Sequence, residues 1–205
     1  MAENQRETII RIAMEKMRQV GIRSVSIDDV CRILGMSKKT FYVYFSTKEE
    51  LVQAMLFRLE EEVNANIHLQ LEQKSVLDLL LNMQKIMRNM RDVRKVPPLF
   101  YDLEKYYPQL YKEHSVRSRT YTEDNIRISL RRGVEEHLFR SDLDIERAGA
   151  AFIMIRESYM NLPIEERQNK KNIDTVKYAV DMMIQGILSE EGKEMLKARI
   201  KNLES

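Results

Sequence analysis

Apolar residues recur at three- and four-residue intervals along most of the chain, with charged residues between them, the signature of helices that bury one face. The first such stretch covers about residues 4–20, where Ile9, Ile10, Ala13, Met17 and Val20 share a side, and Gly21 suits a left-handed stop. Ser26 with Asp29 three positions on forms an N-terminal cap, and Ile27, Val30, Cys31 and Leu34 then fall at i, i+3, i+4 and i+7. Gly35 ends that helix, and Ser37 opens a third, short one running to about Phe45. Ser46 with Glu49, or Thr47 with Glu50, opens a fourth through about residue 68; Ser75 with Asp78 opens a fifth to about Arg91. Pro97-Pro98 breaks the chain before a short sixth helix holding Leu99, Phe100 and Leu103, and Pro108 begins a seventh that reaches about His137. Residues 139–143 form a loop, Asp144 caps an eighth helix ending at Leu162-Pro163, and 165–172 form a polar loop. A ninth helix over about 173–188 and a tail helix over about 191–203 complete the pattern.

Composition narrows the chemistry. Six glycines and four prolines in 205 residues leave few points for reversing short strands, so an all-α protein is predicted. No two glycines lie closer than Gly186 and Gly192, which leaves no room for a glycine-rich phosphate loop or a G-x-S-x-G elbow. Cys31 is the one cysteine, so there is no internal disulfide and no two-cysteine metal knuckle. The residues three before His68, His114 and His137 are Ala65, Tyr111 and Val134, which removes the Glu-x-x-His pairs of a di-iron bundle. No catalytic residue, metal site or cofactor is therefore expected, and the chain is not expected to be an enzyme. No apolar run approaches the about 18–20 residues of a membrane span. The polar, acidic start is unlike a secretory signal, so a cytoplasmic chain without a membrane partner is expected.

Total charge is small, 34 Lys and Arg against 32 Asp and Glu, but its distribution is uneven. From Arg32 to Lys48 there are four bases (Arg32, Lys38, Lys39 and Lys48) and no acid. The same segment joins the second and third helices through Gly35 and Met36 alone, the spacing of a helix-turn-helix whose second helix enters the major groove. At 100° per residue Phe41, Tyr44 and Phe45 fall inward on the third helix, while Lys38, Lys39, Tyr42 and Val43 fall outward. A basic strip on such a helix is the footprint of a phosphate-binding face.

The run SIDDVCRILGMSKKTFYVYFSTKEEL, residues 26–51, resembles the TetR/AcrR family of bacterial transcriptional regulators. Ser26, Asp29, Val30, Gly35, Ser37, Lys38, Thr40, Tyr42, Tyr44, Phe45, Lys48, Glu49, Glu50 and Leu51 match or conservatively replace the family pattern. Cys31, Leu34, Lys39 and Phe41 depart from it, and Lys39 adds a charge on the groove face. The resemblance implies that Tyr42, Tyr44 and Lys48 contact phosphates, helped by backbone amides at Ser26 and Ser37. Tyr44 also lies on the inward face, so core packing accounts for it equally well. Lys38, Lys39, Thr40 and Val43 are left as candidates for base edges, with lysine donating to guanine and Val43 meeting a thymine methyl.

The expected organisation is an N-terminal helix-turn-helix DNA-binding domain, 1–47, and a C-terminal helical domain, 48–205. The resemblance gives the second domain two tasks, dimerisation and effector binding. Ala148 and Ala151 in the eighth helix and Val180, Met183, Ile184 and Ile187 in the ninth are the candidate dimer surface. Met83, Met87 and Met90 lie at i, i+4 and i+7 in the fifth helix; with Phe100, Tyr101, Tyr121, Phe152, Arg156 and Tyr159 they are the candidate effector pocket. Expected partners are thus palindromic operator DNA, a second copy of the chain and an unidentified small molecule. The function implied is a repressor released from its operator by that molecule, working in a bacterial cytoplasm on the nucleoid. The alternative is a constitutive DNA binder whose helical domain is a dimerisation or partner scaffold.

Overall fold

The computed structural model describes residues 2–89 and 98–204, the side chains of 2–4, 86–89, 164 and 202–204 excepted. The regular elements among them are all helices: α1 (Ala2–Val20), α2 (Ile27–Leu34), α3 (Lys38–Tyr44), α4 (Lys48–Gln73), α5 (Val76–Asn89), α6 (Pro98–Tyr106), α7 (Pro108–Glu135), α8 (Ile145–Met160), α9 (Ile164–Arg167), α10 (Lys170–Ile187) and α11 (Glu190–Glu204). No helix among the described residues is long and apolar enough to cross a membrane. The Pro97-Pro98 break and the expected end of the fifth helix at Arg91 involve residues outside the description.

The described residues fall into two compact units, one within 1–64 and 95–118, the other within 65–94 and 119–205. In the first, α1 lies against α2 and α6. Ile9, Ile10, Ala13, Met14 and Met17 from α1 meet Val30 and Cys31, Phe41 and Phe45, Leu51, Val52, Met55 and Leu56, and Leu99 and Leu103 in one core. Phe41 and Phe45 have no exposed surface, and burying such a side chain contributes about 1.5–3 kcal/mol. Glu60 from α4 is buried in this unit and accepts from Arg117 (Nε, 2.8 Å) and lies 2.7 Å from His114 Nδ1. His114, one of the three scattered histidines, is therefore a partnered packing residue.

The second core gathers Val76, Leu80 and Leu81 from α5, Leu130 from α7, Leu138 and Phe139, Ala148 from α8, Ile184 and Ile187 from α10, Leu188, and Leu196 from α11. The turn after α7 runs antiparallel to the end of α10, with Arg140 N–H donating to Ile187 O (3.0 Å) and Ser189 N–H to Leu138 O (3.0 Å). Gly192 is required there, because a Cβ would collide with the Leu138 carbonyl. Arg132 closes the α4–α5 corner by donating to the carbonyls of Leu71 and Lys74, while Glu136 accepts from Val76 N–H (2.8 Å).

Most expected helices are present, with two shifted boundaries and one added turn of helix. The fourth reaches Gln73 rather than residue 68. The stretch expected as a polar loop, 165–172, holds the one-turn α9 and the start of α10. Asn169 caps α10 by accepting from Lys171 N–H (2.9 Å), a local bond hidden by the polarity of the run.

Candidate nucleic-acid interface

The turn between α2 and α3 is built by local hydrogen bonds. Ser26 Oγ accepts from Asp29 N–H (3.1 Å), and Asp29 Oδ2 accepts from Ser26 N–H (2.9 Å) and Ser26 Oγ–H (2.6 Å), closing a capping box. These bonds, the side-chain one first, hold the Asp29 carboxyl below its ordinary 3.8, and the neighbouring Arg32 guanidinium adds to the effect. Gly35 sits at φ 61°, the left-handed conformation glycine adopts without strain, and turns the chain within three residues into α3. Ser37 Oγ then accepts from Thr40 N–H (3.1 Å) and pairs with Thr40 Oγ1 (2.9 Å).

Burial fixes which face of α3 looks outward. Phe41 and Phe45 are locked inside, the former edge-on to Tyr42 and the latter beneath the Arg6 guanidinium. The opposite face carries Lys38, Lys39, Thr40, Tyr42 and Val43, all exposed, Val43 by 75%. A valine so open gains nothing for the free fold, whereas a thymine methyl would cover it. Lys38 Nζ donates to Asp28 Oδ1 on α2 (2.8 Å), an exposed pair that holds the ammonium's proton more firmly. Tyr44 is half-buried against the core, in keeping with its inward position.

Two of the expected phosphate contacts have partners inside the fold. Lys48 Nζ donates to Ile22 O (2.6 Å), and burial pulls its pKa below 10.5 despite the nearby Asp102 and Asp29 carboxylates. The Ser26 N–H is taken by Asp29. A contact across 26 positions, such as Lys48 to Ile22, leaves no periodic mark in a sequence.

The remaining candidates are dispersed. Phe100 and Tyr101 belong to the first unit, Phe100 half-buried with its ring 5.8 Å from that of His114 and Tyr101 exposed. Met83 and Phe152 pack partly on the second core. Tyr121 is exposed, Arg156 pairs with Glu157, and Tyr159 donates to Arg167 O (2.7 Å). The Met87 side chain and Met90 lie outside the description. A pocket of about 170 Å³ in the second unit is lined by Arg119, Glu123, Arg127, Gly149, Ala150, Ile153 and Met154, none of them among the expected pocket residues. Of the dimer candidates, Ala148, Ile184 and Ile187 are buried in the second core, and Ala151, Val180 and Met183 are half-buried. The exposed apolar positions on those two helices are instead Met154, Tyr178 and Met182. Among the described residues no group of three His, Cys, Asp or Glu side chains could hold a metal ion. Cys31 is buried, which pushes its thiol pKa up.

Residues 9–55 match the family model described as "Bacterial regulatory proteins, tetR family". Over 80 residues the chain is 30% identical to the uncharacterized HTH-type transcriptional regulator YvdT of Bacillus subtilis (strain 168), an alignment covering 37% of this chain and 41% of that one. The match thus spans about two fifths of that relative's length. A TetR-family regulator from Cytophaga hutchinsonii has a similar fold, with a TM-score of 0.63 at 17% identity, covering 91% of this chain and 96% of that one. The reduced form of E. coli NemR gives 0.63 at 14%, covering 91% and 97%. SCO4454 of Streptomyces coelicolor, a TetR-family regulator, gives 0.58 at 19%, covering 89% and 95%. Residues 9–55 thus match the N-terminal segment typical of the TetR family of bacterial regulatory proteins, and the described residues share the fold of solved members of that family.

Proposed function

We propose that this chain is a DNA-binding transcriptional regulator, not an enzyme, that sits as a homodimer on a palindromic operator and is released by a small-molecule effector. The observation that carries the reading is α3 itself: a helix anchored by two fully buried phenylalanines that turns Lys38, Lys39, Thr40, Tyr42 and Val43 to solvent. In this reading residues 1–47 bind DNA and 48–205 serve effector binding and dimerisation, in the cytoplasm at the nucleoid. Tyr42 and the N-terminus of α3 at Ser37 meet phosphates from the conformation described, whereas Lys48 and the Ser26 amide reach them only by leaving Ile22 and Asp29. Lys38, Lys39, Thr40 and Val43 face the bases.

Two-fold pairing suits so short a reader, because it places two recognition helices about 34–36 Å apart, one turn of the duplex. The exposed Met154, Tyr178 and Met182 supply apolar surface for that pairing, beside Ala151, Val180 and Met183. An effector acts if it binds the low-affinity state better than the DNA-bound one; its strength is that difference and nothing more. Met83, Phe152 and Tyr159 are the retained pocket candidates, and α4, which carries Lys48 at its start, is the route to the reading head.

The test is genomic footprinting with the purified chain, followed by operator affinity with and without a library of apolar compounds. Protection of short inverted repeats, relieved by one compound class, is the expected result; absence of any protected sequence refutes the reading. The constitutive alternative draws on the pocket of about 170 Å³, which is below the about 300–1,000 Å³ usual for ligand sites. An operator affinity indifferent to every compound that shifts the melting temperature would select it.

A further inference from the structure

The three residues after α1 are gripped from several sides by elements with no place in the groove. Gly21 sits at φ 89°, and a Cβ on it would lie 2.6 Å from Asp102 Oδ2 on α6, so both its conformation and its neighbour demand glycine. The same oxygen accepts from Arg23 N–H at 2.7 Å. Arg23 reaches further along α6, donating from its guanidinium to Tyr106 Oη (2.9 Å) and lying 5.1 Å above the Tyr106 ring. Between them Ile22 is fully buried and its carbonyl accepts from Lys48 Nζ, at the first residue of α4. Four contacts from α6 and α4 thus hold Ile22 and Arg23, and Asp102 closes over Gly21 beside them.

Those three residues stand just ahead of Val25, which is buried, and Ser26, the cap of α2. A change in the path of 21–23 redirects the entry of α2, and α3 follows, because only Gly35, Met36 and Ser37 separate the two helices. Base readout depends on atoms placed within hydrogen-bond distance, whereas phosphate attraction is long-ranged and tolerant of small tilts. Loosening this turn therefore damages recognition of one sequence far more than attraction to any duplex.

Resting on the DNA-binding reading, we infer that Asp102 is a positioning residue for operator recognition: from α6, without touching DNA, it fixes the Gly21–Arg23 turn and through it the attitude of α2 and α3. Tyr106, on the same helix, is the second grip on that turn.

The experiment uses the full chain, a duplex enriched by the wild-type protein from a random-sequence library, and a scrambled duplex of equal length. Binding is measured over a range of salt, at a temperature where circular dichroism shows each variant folded. Asp102→Ala should bind the enriched duplex about tenfold more weakly, an ordinary single-contact effect on sequence-specific affinity, with scrambled-duplex affinity and salt slope unchanged. Asp102→Asn keeps an acceptor for Arg23 N–H and should restore binding to within about threefold of wild type, as expected if hydrogen bonding rather than charge holds the turn. Amide hydrogen exchange at Arg23 should speed up in Asp102→Ala and not in Asp102→Asn, while the α1 amides stay protected. Wild-type discrimination left intact in a folded Asp102→Ala, or equal losses on both duplexes, overturns the positioning role alone. A wild-type chain with no sequence preference overturns the DNA-binding reading and the positioning role with it.

Discussion

Replacing Glu60 by Gln removes the charge at the centre of a buried cluster in the first unit while keeping its shape. Glu60 is 8% exposed; its Oε2 accepts from Arg117 Nε at 2.8 Å and its Oε1 from Arg117 Nη2 at 3.0 Å. His114 Nδ1 lies 2.7 Å from Oε1, and the Arg117 guanidinium rests 4.4 Å above the Phe57 ring. This two-pronged bond to Glu60 holds the proton on Arg117 still more firmly. In Glu60→Gln one amide oxygen remains to accept, but the amide nitrogen now faces guanidinium donors, and the Arg117 charge loses its counterion. Breaking a fully buried pair from one side costs about 3–5 kcal/mol. Arg117 keeps 30% of its side chain in water, so the loss should be nearer 2–3 kcal/mol, roughly two thirds of that range. Urea unfolding followed by circular dichroism reads the value directly, and the melting temperature should fall by about 4–12 °C at about 2–4 °C per kcal/mol for a chain of this size. Glu60→Leu combined with Arg117→Met should recover much of the loss, since no unpaired charge is left, with a coupling of about 2 kcal/mol. A Glu60→Gln loss below about 1 kcal/mol, the range of exposed pairs, or strict additivity in the double variant, would refute this account.

Four further outcomes are expected. Lys48→Ala, if Lys48 exchanges Ile22 for a phosphate on binding, lowers affinity for all duplexes alike and reduces the salt slope by about one; an unchanged slope with lost sequence preference would make it purely a clasp on the 21–23 turn. The Asp29 carboxyl, lowered by Ser26, adds stability that is complete above its unfolded value near 3.8 and drains away as pH falls through the lower folded value. Asp29→Asn should therefore flatten the acid limb of a stability-versus-pH curve, measured by urea midpoints. Met154→Glu together with Tyr178→Glu should shift sedimentation toward single chains with the helical content unchanged, because both positions are open on the isolated chain. Gly192→Ala should destabilise the second unit by about 1–3 kcal/mol through overpacking, since the new methyl group meets rigid Leu138 backbone; calorimetry checks this.

The parts legible in the sequence are those decided locally. Ser26 with Asp29, Gly35, Ser37 as a cap, and the inward Phe41 and Phe45 all follow from local spacing, and the structure places each in its expected position. Partner choice over long separations was not legible: Lys48 to Ile22, Arg23 to Asp102 and Glu60 to Arg117 join residues 26, 79 and 57 positions apart. Periodicity also marks a helix face as apolar without saying what covers it. Ile184 and Ile187 continue the regular apolar stripe of α10, yet they and Ala148 on α8 face their own core, while Met154, Tyr178 and Met182 stand exposed. Asn169 was missed as a cap because its polar surroundings look like loop.

α3 is seven residues long, with Lys38 and Lys39 in its first turn and no acid there. A helix that short does not persist alone in water, and its leading end already bears the positive pole of the backbone dipole. Asp28 takes up the Lys38 ammonium at 2.8 Å, but the exposed Lys39 adds positive charge at that pole, so the aromatic anchors beneath must hold the segment in shape. On the proposed reading, a phosphate arriving at the same spot would offset that charge, and nucleic acid would act as the N-terminal counterweight of α3.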